Sequence, residues 1–341
     1  MKIGLLLSGG VDSAVAGYLL KEQSHEVLAI TMANVEYGNL EAARESAAEL
    51  GLTHHIIDLK EAFQEKVADY FCQAYAQGKT PNPCTVCNRY IKFGAMLDYA
   101  KLLGCEKIAT GHYANLAYNP QTGRYQLSKS SDVKKDQSYF LYNLSQEQLA
   151  YTLFPLGSIT KETVKSIAGQ QGFKVLNQDE SQEICFVNDD YRLFLEGKVT
   201  SIPGAIVDVS GNYIGCHNGI AHYTVGQRKG LGISWKHPLY VLDLDPVGNT
   251  ITVGRENQLY HKVLWSAENN FVSVPALEKP VMVRARIRYR AKEDAAYVIP
   301  ENDLLRVEFI QPQRAITKGQ CVVYYDGDVV LGGGVIIESG V

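Results

Sequence analysis

The sequence predicts a doubly wound α/β unit with a parallel sheet, followed by a small β-rich linking domain and a C-terminal antiparallel β-barrel. Three observations predict it. Strand-like and helix-like segments alternate through about the first 195 residues, which is the pattern of a parallel sheet covered on both faces. After Pro203-Gly204 the texture changes to short strand-like segments broken by turn signals. A glycine-containing loop, SGGVDS, separates the first strand-like run from the first helix-like one.

The elements follow in order. IGLLL reads as a strand, AVAGYLLKE as a helix, EVLAITM as a strand, LEAARESAAELG as a helix and HHIIDL as a strand. EAFQEKVADYFCQAYAQ and IKFGAMLDYAKLLG read as helices, KIAT as a strand, and SQEQLAYTLF and KETVKSIAGQQG as further helices. Beyond residue 203 the strand-like runs are GAIVDV, YIGCHNG, PLYVLDLD, TITVGR, VMVRARIRYR, LLRVEFIQP and CVVYYDGDVVLGGGVII. Asp-Pro-Val-Gly-Asn and Asp326-Gly327 mark turns between them. These boundaries predict domains over 1–198, 199–262 and 263–341.

Composition narrows the class. The chain has 341 residues and 46% hydrophobic content, enough for a sizeable core, and a formal net charge of −4. Global charge therefore does not announce a nucleic-acid binder, and any polyanion site must be a local basic patch. MKIGLLL runs straight into a strand, and no apolar stretch approaches the roughly 20 residues of a membrane span. The expectation is a cytoplasmic protein with no membrane partner, monomeric by default. Seven cysteines, at 72, 84, 87, 105, 185, 216 and 321, argue for thiol or metal chemistry rather than a secreted disulfide scaffold. Cys72, Cys105, Cys216 and Cys321 sit among apolar residues and read as structural.

The loop Ser8–Ser13 carries the first chemistry. Gly9 and Gly10 let the backbone close tightly and present N–H groups to an anion. Ser13 then opens a helix whose N-terminus favours negative charge. The lysine of GxxxxGK[ST] is absent, so this is not a Walker P-loop. A plain strand–helix turn is the alternative. Six residues in the right context favour the pyrophosphate loop of the N-type ATP pyrophosphatases, which the stretch resembles. That superfamily cleaves ATP between the α and β phosphates, and its amidotransferases carry a glutaminase for which no sequence precedes this loop.

Cys84 and Cys87 form a CxxC in PNPCTVCNRY, with Cys185 far downstream in ESQEICF. Zinc would want four ligands, and neither a second CxxC nor an HxxxH is present. Reactive thiols beside an ATP-activating loop fit sulfur transfer better, because a persulfide is a nucleophile and a second thiol releases its sulfur as a disulfide forms. TPNPCTVCNRYIKFG, IATGHYA, KDQSYFLY, FPLG, ESQEICF, YTVGQRKGLGI, RIRYR and LGGGVI occur together and in order. With them the chain resembles the bacterial tRNA-specific 2-thiouridylases over nearly its whole length, with the PP-loop (HUP-type) fold.

The resemblance implies ATP-dependent thiolation of the wobble uridine of tRNA, with lysine, glutamate and glutamine acceptors, and a sulfur donor protein upstream. ATP, with Mg2+, would adenylate the C2 oxygen, and sulfur would replace it to give 2-thiouridine. Cys185 would carry the persulfide and Cys87 would be the catalytic thiol that pairs with it. Leu6, Leu7, Ser8, Gly9, Gly10, Val11, Asp12, Ser13, Met32 and Gly111 would bind ATP. Asn82, Pro83 and Cys84 would lie beside the flipped-out base. His112, Lys135, Asp136, Gln137, Arg288, Tyr289 and Gln320 would meet the tRNA. For His112 alone the alternative is a capping or core histidine. For RARIRYRAK it is a solvated strand face, although arginine alternating with an aromatic also suits phosphate and base contact.

Two departures from the family pattern stand out. Relatives place an Asp where Cys84 stands, and ANVEYGNLEAA after Met32 lacks a Lys-Asn-Trp-Asp run. Cys84, Cys87 and Cys185 make a CxxC-plus-C set whose three thiolates would leave one iron of a 4Fe–4S cluster open. Persulfide and cluster chemistry thus compete for the same residues. An amide-forming ligase of the same superfamily and a zinc- or RNA-binding module are the alternative functions.

Overall fold

The structure, a computed structural model, describes residues 1–33, 40–177, 184–187 and 190–340. The first strands are β1 (Lys2–Leu6), β2 (Glu26–Ala33), β3 (Thr53–Asp58), β4 (Lys107–Ala109), β5 (Ala114–Asn119), β6 (Arg124–Lys129) and β7 (Thr152–Leu153). Five of them form one parallel sheet in the order β3-β2-β1-β4-β7. Alternate residues feed two cores. Ile3, Leu5, Leu7, Val27 and Ala29 pack with Val15 and Leu20 of the helix Val11–Glu22 and Val164 and Ala168 of the helix Lys161–Gln171. Leu6, Leu28, Ile30 and Ile108 pack on the other face, against Phe93, Met96 and Ala100. Helices on both faces of a parallel sheet are the expected doubly wound unit.

Two helices differ from expectation in ways that matter below. The helix over 60–76 contains a π-helical stretch, Gln64–Ala68. The helix containing IKFGAMLDYAKLLG starts earlier, at Pro83, and runs to Leu102 with a π-helical stretch at Cys87–Ala95. The CxxC therefore lies in the first turn of a helix, where Pro83 is pre-set for the opening positions. In SQEQLAYTLF only Gln146–Ala150 is helical; Thr152 and Leu153 pair with Ile108 and Ala109 as the sheet's edge strand. A parallel edge position accepts a two-residue apolar pair that helical periodicity had absorbed.

The linking domain holds β8 (Gly204–Val207), β9 (Tyr213–His217), β10 (Tyr240–Asp245) and β11 (Thr250–Gly254) in the order β10-β11-β8-β9. Its β8–β11 pairing is parallel, the others antiparallel. The barrel comprises β12 (Tyr260–Phe271), β13 (Val281–Arg286), β14 (Asp294–Glu301), β15 (Leu304–Arg314), β16 (Cys321–Asp326) and β17 (Val329–Gly340). Twelve-residue β12 pairs with both β15 and β17 and so closes the ring. Register shifts at Trp265/Ser266 and Ala267/Asn270 bend it round the corner. Gly327, at φ +58°, supplies the left-handed residue that the Asp326-Gly327 turn needs.

VMVRARIRYR is strand only as far as Arg286; Arg288 and Tyr289 lie in the bend and turn that follow. The hairpin β5–β6 was not foreseen. It belongs to the first half of the chain yet pairs with the barrel, Ser128 against Val329. Arg124 donates to the Phe271 and Val272 carbonyls and Lys129 pairs with Glu293, which ties the two units together.

Candidate active site

The site forms at the C-terminal ends of the parallel strands, where ligands of open α/β sheets bind. β1 ends at Leu6, and Leu6 and Leu7 send their side chains into the core, so only their backbone can face a nucleotide. Gly9 takes φ +80°, a conformation that favours glycine. The Ser13 hydroxyl donates to the Gly10 carbonyl at 2.8 Å and accepts from the Ser8 N–H at 3.3 Å, so the loop is folded on itself before any ligand arrives. The helix then begins at Val11 and leaves its first N–H groups at the loop. Gly111, after β4, touches this turn: a Cβ there would lie 2.8 Å from the Asp12 carbonyl carbon and the Ser13 nitrogen. Met32 stands near the end of β2. The residues between Met32 and the helix Leu40–Glu49 are largely outside the described residues, and so is the sequence departure at ANVEYGNLEAA.

Asp12 is the loop's carboxylate. Its Oδ1 accepts from the Tyr113 hydroxyl at 2.7 Å and from Lys161 Nζ at 2.7 Å. Sequence spacing gave no hint of either partner, because they come from distant segments.

The thiols occupy the neighbouring helix. Cys84 and Cys87 are three residues apart and share one side of its first turn. Cys87 is buried among Phe63, Phe71, Ile91 and Phe186, and Cys84 is half-buried. Burial pushes the Cys84 thiol up to about 11 and the Cys87 thiol up to about 12, with the Lys92 ammonium pulling both back. Cys185 is exposed, yet the protein around it still raises its thiol, again opposed by Lys92. Cys84, Cys87 and Cys185 act on one another electrostatically, so the structure does bring the three together. Phe186 anchors the Cys185 segment: its buried ring meets Phe63, Phe71 and Phe194 at 5.0–5.5 Å. Glu180 to Glu183 of the ESQEICF block lie outside the described residues.

Lys92 was missed from sequence. It faces Cys84, Cys87, Cys185 and His112. Bonding of the i→i+5 type returns residue 92 over residue 87, which ordinary helical geometry, at about 100° per residue, would not. Gln148 holds this stretch by donating to the Arg89 and Phe93 carbonyls at 2.7 and 2.8 Å.

The residues expected at the RNA differ in burial and in partners. Asp136 is 3% exposed, accepts from the Ser130 and Ser138 N–H groups and the Ser138 hydroxyl, and lies 3.7 Å from Arg286. Gln137 accepts from the Tyr113 N–H, and Gln320 donates to the Thr80 carbonyl at 3.2 Å. Asn82 and Pro83 are buried at the helix start. His112 packs against Phe93 and Phe154, with Nδ1 2.8 Å from the Thr110 hydroxyl; burial, then Lys92, holds it well below the usual imidazole range. Arg288, Tyr289 and Lys135 are half-buried, as are His112, Gln137 and Gln320. Arg288 is held below the usual guanidinium range by burial and by Arg314 close by. The Tyr289 ring lies 4.4 Å from that of Phe140, tilted by 40°.

Among the four cysteines read as structural, Cys72, Cys105 and Cys321 are buried, but Cys216 is exposed on β9, where strand alternation turns it outward. Among the described residues, no group of three or more His, Cys, Asp or Glu side chains could hold a metal ion.

Residues 1–189 match the family described as tRNA methyl transferase HUP domain, 192–255 its PRC-barrel domain, and 260–336 the aminomethyltransferase beta-barrel domain. The tRNA-specific 2-thiouridylase MnmA 1 of Caldanaerobacter subterraneus subsp. tengcongensis is 48% identical over 97% of this chain and 96% of its own. The tRNA-specific 2-thiouridylase MnmA of Clostridioides difficile is 46% identical over 99% and 98%. A solved 4-thiouridine synthetase–RNA complex with bound ATP covers 52% of this chain and 42% of its own, at 18% identity and a TM-score of 0.35. With identity at this level along both full lengths, the chain belongs to the tRNA-specific 2-thiouridylase family.

Proposed function

We propose that the protein converts the wobble uridine of lysine, glutamate and glutamine tRNAs to 2-thiouridine through a cysteine persulfide. One observation carries the reading: a self-folded phosphate loop follows β1, while three mutually interacting thiols lie by the end of β2, where Met32 packs against the cluster that buries Cys87. The loop N–H groups and the helix N-terminus at Val11 hold the ATP phosphates. Asp12 is the oxygen donor suited to Mg2+, which when bound would neutralise phosphate charge. The uridine O2 attacks the α-phosphorus, and pyrophosphate leaves with the bonding electrons. The terminal sulfur of the Cys185 persulfide attacks C2, and AMP departs with the C2–O electrons. Cys87 loses its proton and attacks Cys185 Sγ; the resulting disulfide releases the sulfur on uridine as the thiocarbonyl. A donor protein restores the persulfide after two-electron reduction.

Cys84 lines the base pocket in this reading and has no transfer step. Arg288 suits a phosphate of the tRNA backbone. The domains 1–198, 199–262 and 263–341 act as one unit around this site. We place the protein in the cytoplasm, where tRNA is found; no described helix is long and apolar enough to cross a membrane. The test uses unmodified tRNA, ATP and a sulfur donor, with nucleoside mass as readout. Cys185→Ser is expected to release pyrophosphate but make no 2-thiouridine; full thiolation by that variant would rule the persulfide out. Iron-free protein is expected to be active, and thiolation that appears only on reconstitution with iron and sulfide would install the cluster instead.

A further inference from the structure

Lys92 brings a cation among the thiols, yet the sulfur transfer described above gives it no part. Packing on both sides fixes where it stands. Ile91 is buried with Cys87 and Phe186, while Phe93 is buried in another core with Ile30, Met96 and Leu97. Ile184 and Val187 pack against the Ile91 cluster, so the segment that carries Cys185 lies on that side. The Phe93 ring lies 5.9 Å from that of His112. Lys92 leaves the helix between these anchors, five residues after Cys87 in the π-helical stretch, where i→i+5 bonding stacks it over that thiol.

The resting protein gives this charge no counterpart. Lys92 is half-buried, and among the described residues no carboxylate pairs with its ammonium. The groups that feel it are Cys84, Cys87, Cys185 and His112. Burial keeps the three thiols protonated near neutral pH, and burial, then Lys92 itself, keeps the imidazole uncharged. A cation held among four neutral groups carries a desolvation cost that none of them offsets. It is placed to meet negative charge that appears on sulfur during the reaction.

We propose that Lys92 binds the terminal sulfur of the Cys185 persulfide and holds that anion against C2 of the activated uridine. This role rests on the persulfide reading above and adds a residue to it. A persulfide loses its proton more readily than a thiol, because the second sulfur shares the charge, so the transferable sulfur is an anion that pairs with the ammonium. Its electron pair forms the bond to C2, and the C2–O pair leaves with AMP. When the Cys87 thiolate attacks Cys185 Sγ, the electrons of the breaking S–S bond pass to the sulfur on uridine, and Lys92 meets that charge a second time. It gives and takes no proton in either step.

Iodoacetamide and iodoacetate read the charge beside a thiol, because the two are similar in size and only the second is an anion. In the reduced protein, Cys185 is expected to favour iodoacetate over iodoacetamide at least about fivefold more than Cys216, the other exposed cysteine, does. Peptide mass gives both rates. Lys92→Met is expected to remove that preference and Lys92→Arg to keep it. Equal preference at Cys185 and Cys216 in the wild type overturns the proposal, and this comparison stands even where Lys92→Met fails to fold. In folded Lys92→Met, single-turnover sulfur transfer is expected to fall about tenfold further than tRNA-dependent pyrophosphate release. Equal loss in both would put the ammonium on a phosphate and overturn the proposal. The two reagents need neither ATP nor tRNA, so failure of the thiolation reading shows separately, as the Cys185 preference in a wild type that makes no 2-thiouridine.

Discussion

At the scale of single residues, environment separates groups of identical chemistry. Cys185 is exposed while Cys84 and Cys87 sit within the protein and titrate near 11 and 12. The thiolate is the reactive form. Brief iodoacetamide treatment at pH 8 should therefore alkylate Cys185 and Cys216 at least about tenfold faster than Cys87; peptide mass reads the order, and labelling of Cys87 first would contradict the arrangement. His112 gives a pH signature. Its folded value lies below the unfolded 6.5, so below that pH unfolding takes up a proton and stability falls as the pH drops, by at most about 1.4 kcal/mol per pH unit. Urea midpoints between pH 7.5 and 5 should fall less steeply in His112→Gln than in the wild type.

At the scale of elements, the helix over 83–102 is the decisive piece. Its π-helical stretch puts Lys92 over Cys87, and Gln148 pays for the irregularity by capturing two carbonyls. The amide oxygen of the same side chain accepts from the Ser145 N–H in a capping box, so one side chain secures two helices. Gln148→Leu leaves both carbonyls without that donor and is expected to cost about 1–3 kcal/mol. A lower melting temperature, together with thiolation reduced more than pyrophosphate release, would locate the damage at the thiols. Equal loss in both steps would refute this role for the stretch.

At the scale of the whole molecule, the barrel braces the CxxC. Gln320 donates to the Thr80 carbonyl, the Thr80 N–H donates to Lys318, the Thr85 hydroxyl lies 3.8 Å from Cys321 Sγ, and the Tyr139 hydroxyl donates to the Cys321 carbonyl. Gly319, at φ +90°, leaves room for this contact: a Cβ would meet Lys79 and Thr80 atoms at 3.0 Å. Gly319→Val should separate the units, raise proteolytic cleavage around residues 79–84 and lower thiolation about tenfold or more, as misplacement of a site by an ångström does. Unchanged activity would show that the contact is dispensable. Arg288 lies just past the end of β13, with Arg314 near enough to act on it. Arg288→Ala should weaken tRNA binding at all sequences and reduce the slope of log affinity against log salt by about 1. An unaltered slope would remove it from the phosphate contacts.

The sequence by itself determined the order of units and the phosphate loop, and it named the thiols proposed for the chemistry. Strand–helix alternation, SGGVDS and three cysteines are local or additive signals, and periodicity and loop chemistry report them directly. What it left open depended on contacts between distant segments. SQEQLAYTLF hid an edge strand because a two-residue strand exists only by pairing with β4. RIRYR read as strand to its end, but the ladder that defines a strand stops at Arg286. The hairpin β5–β6 has strand character but acquires its place from the barrel. Lys92 depends on a π-helical register, and Lys161 on the packing of two helices far apart in sequence. The tertiary structure decided which charges face the reacting groups, because electrostatic partnership is a matter of distance in space, and spacing along the chain does not encode it.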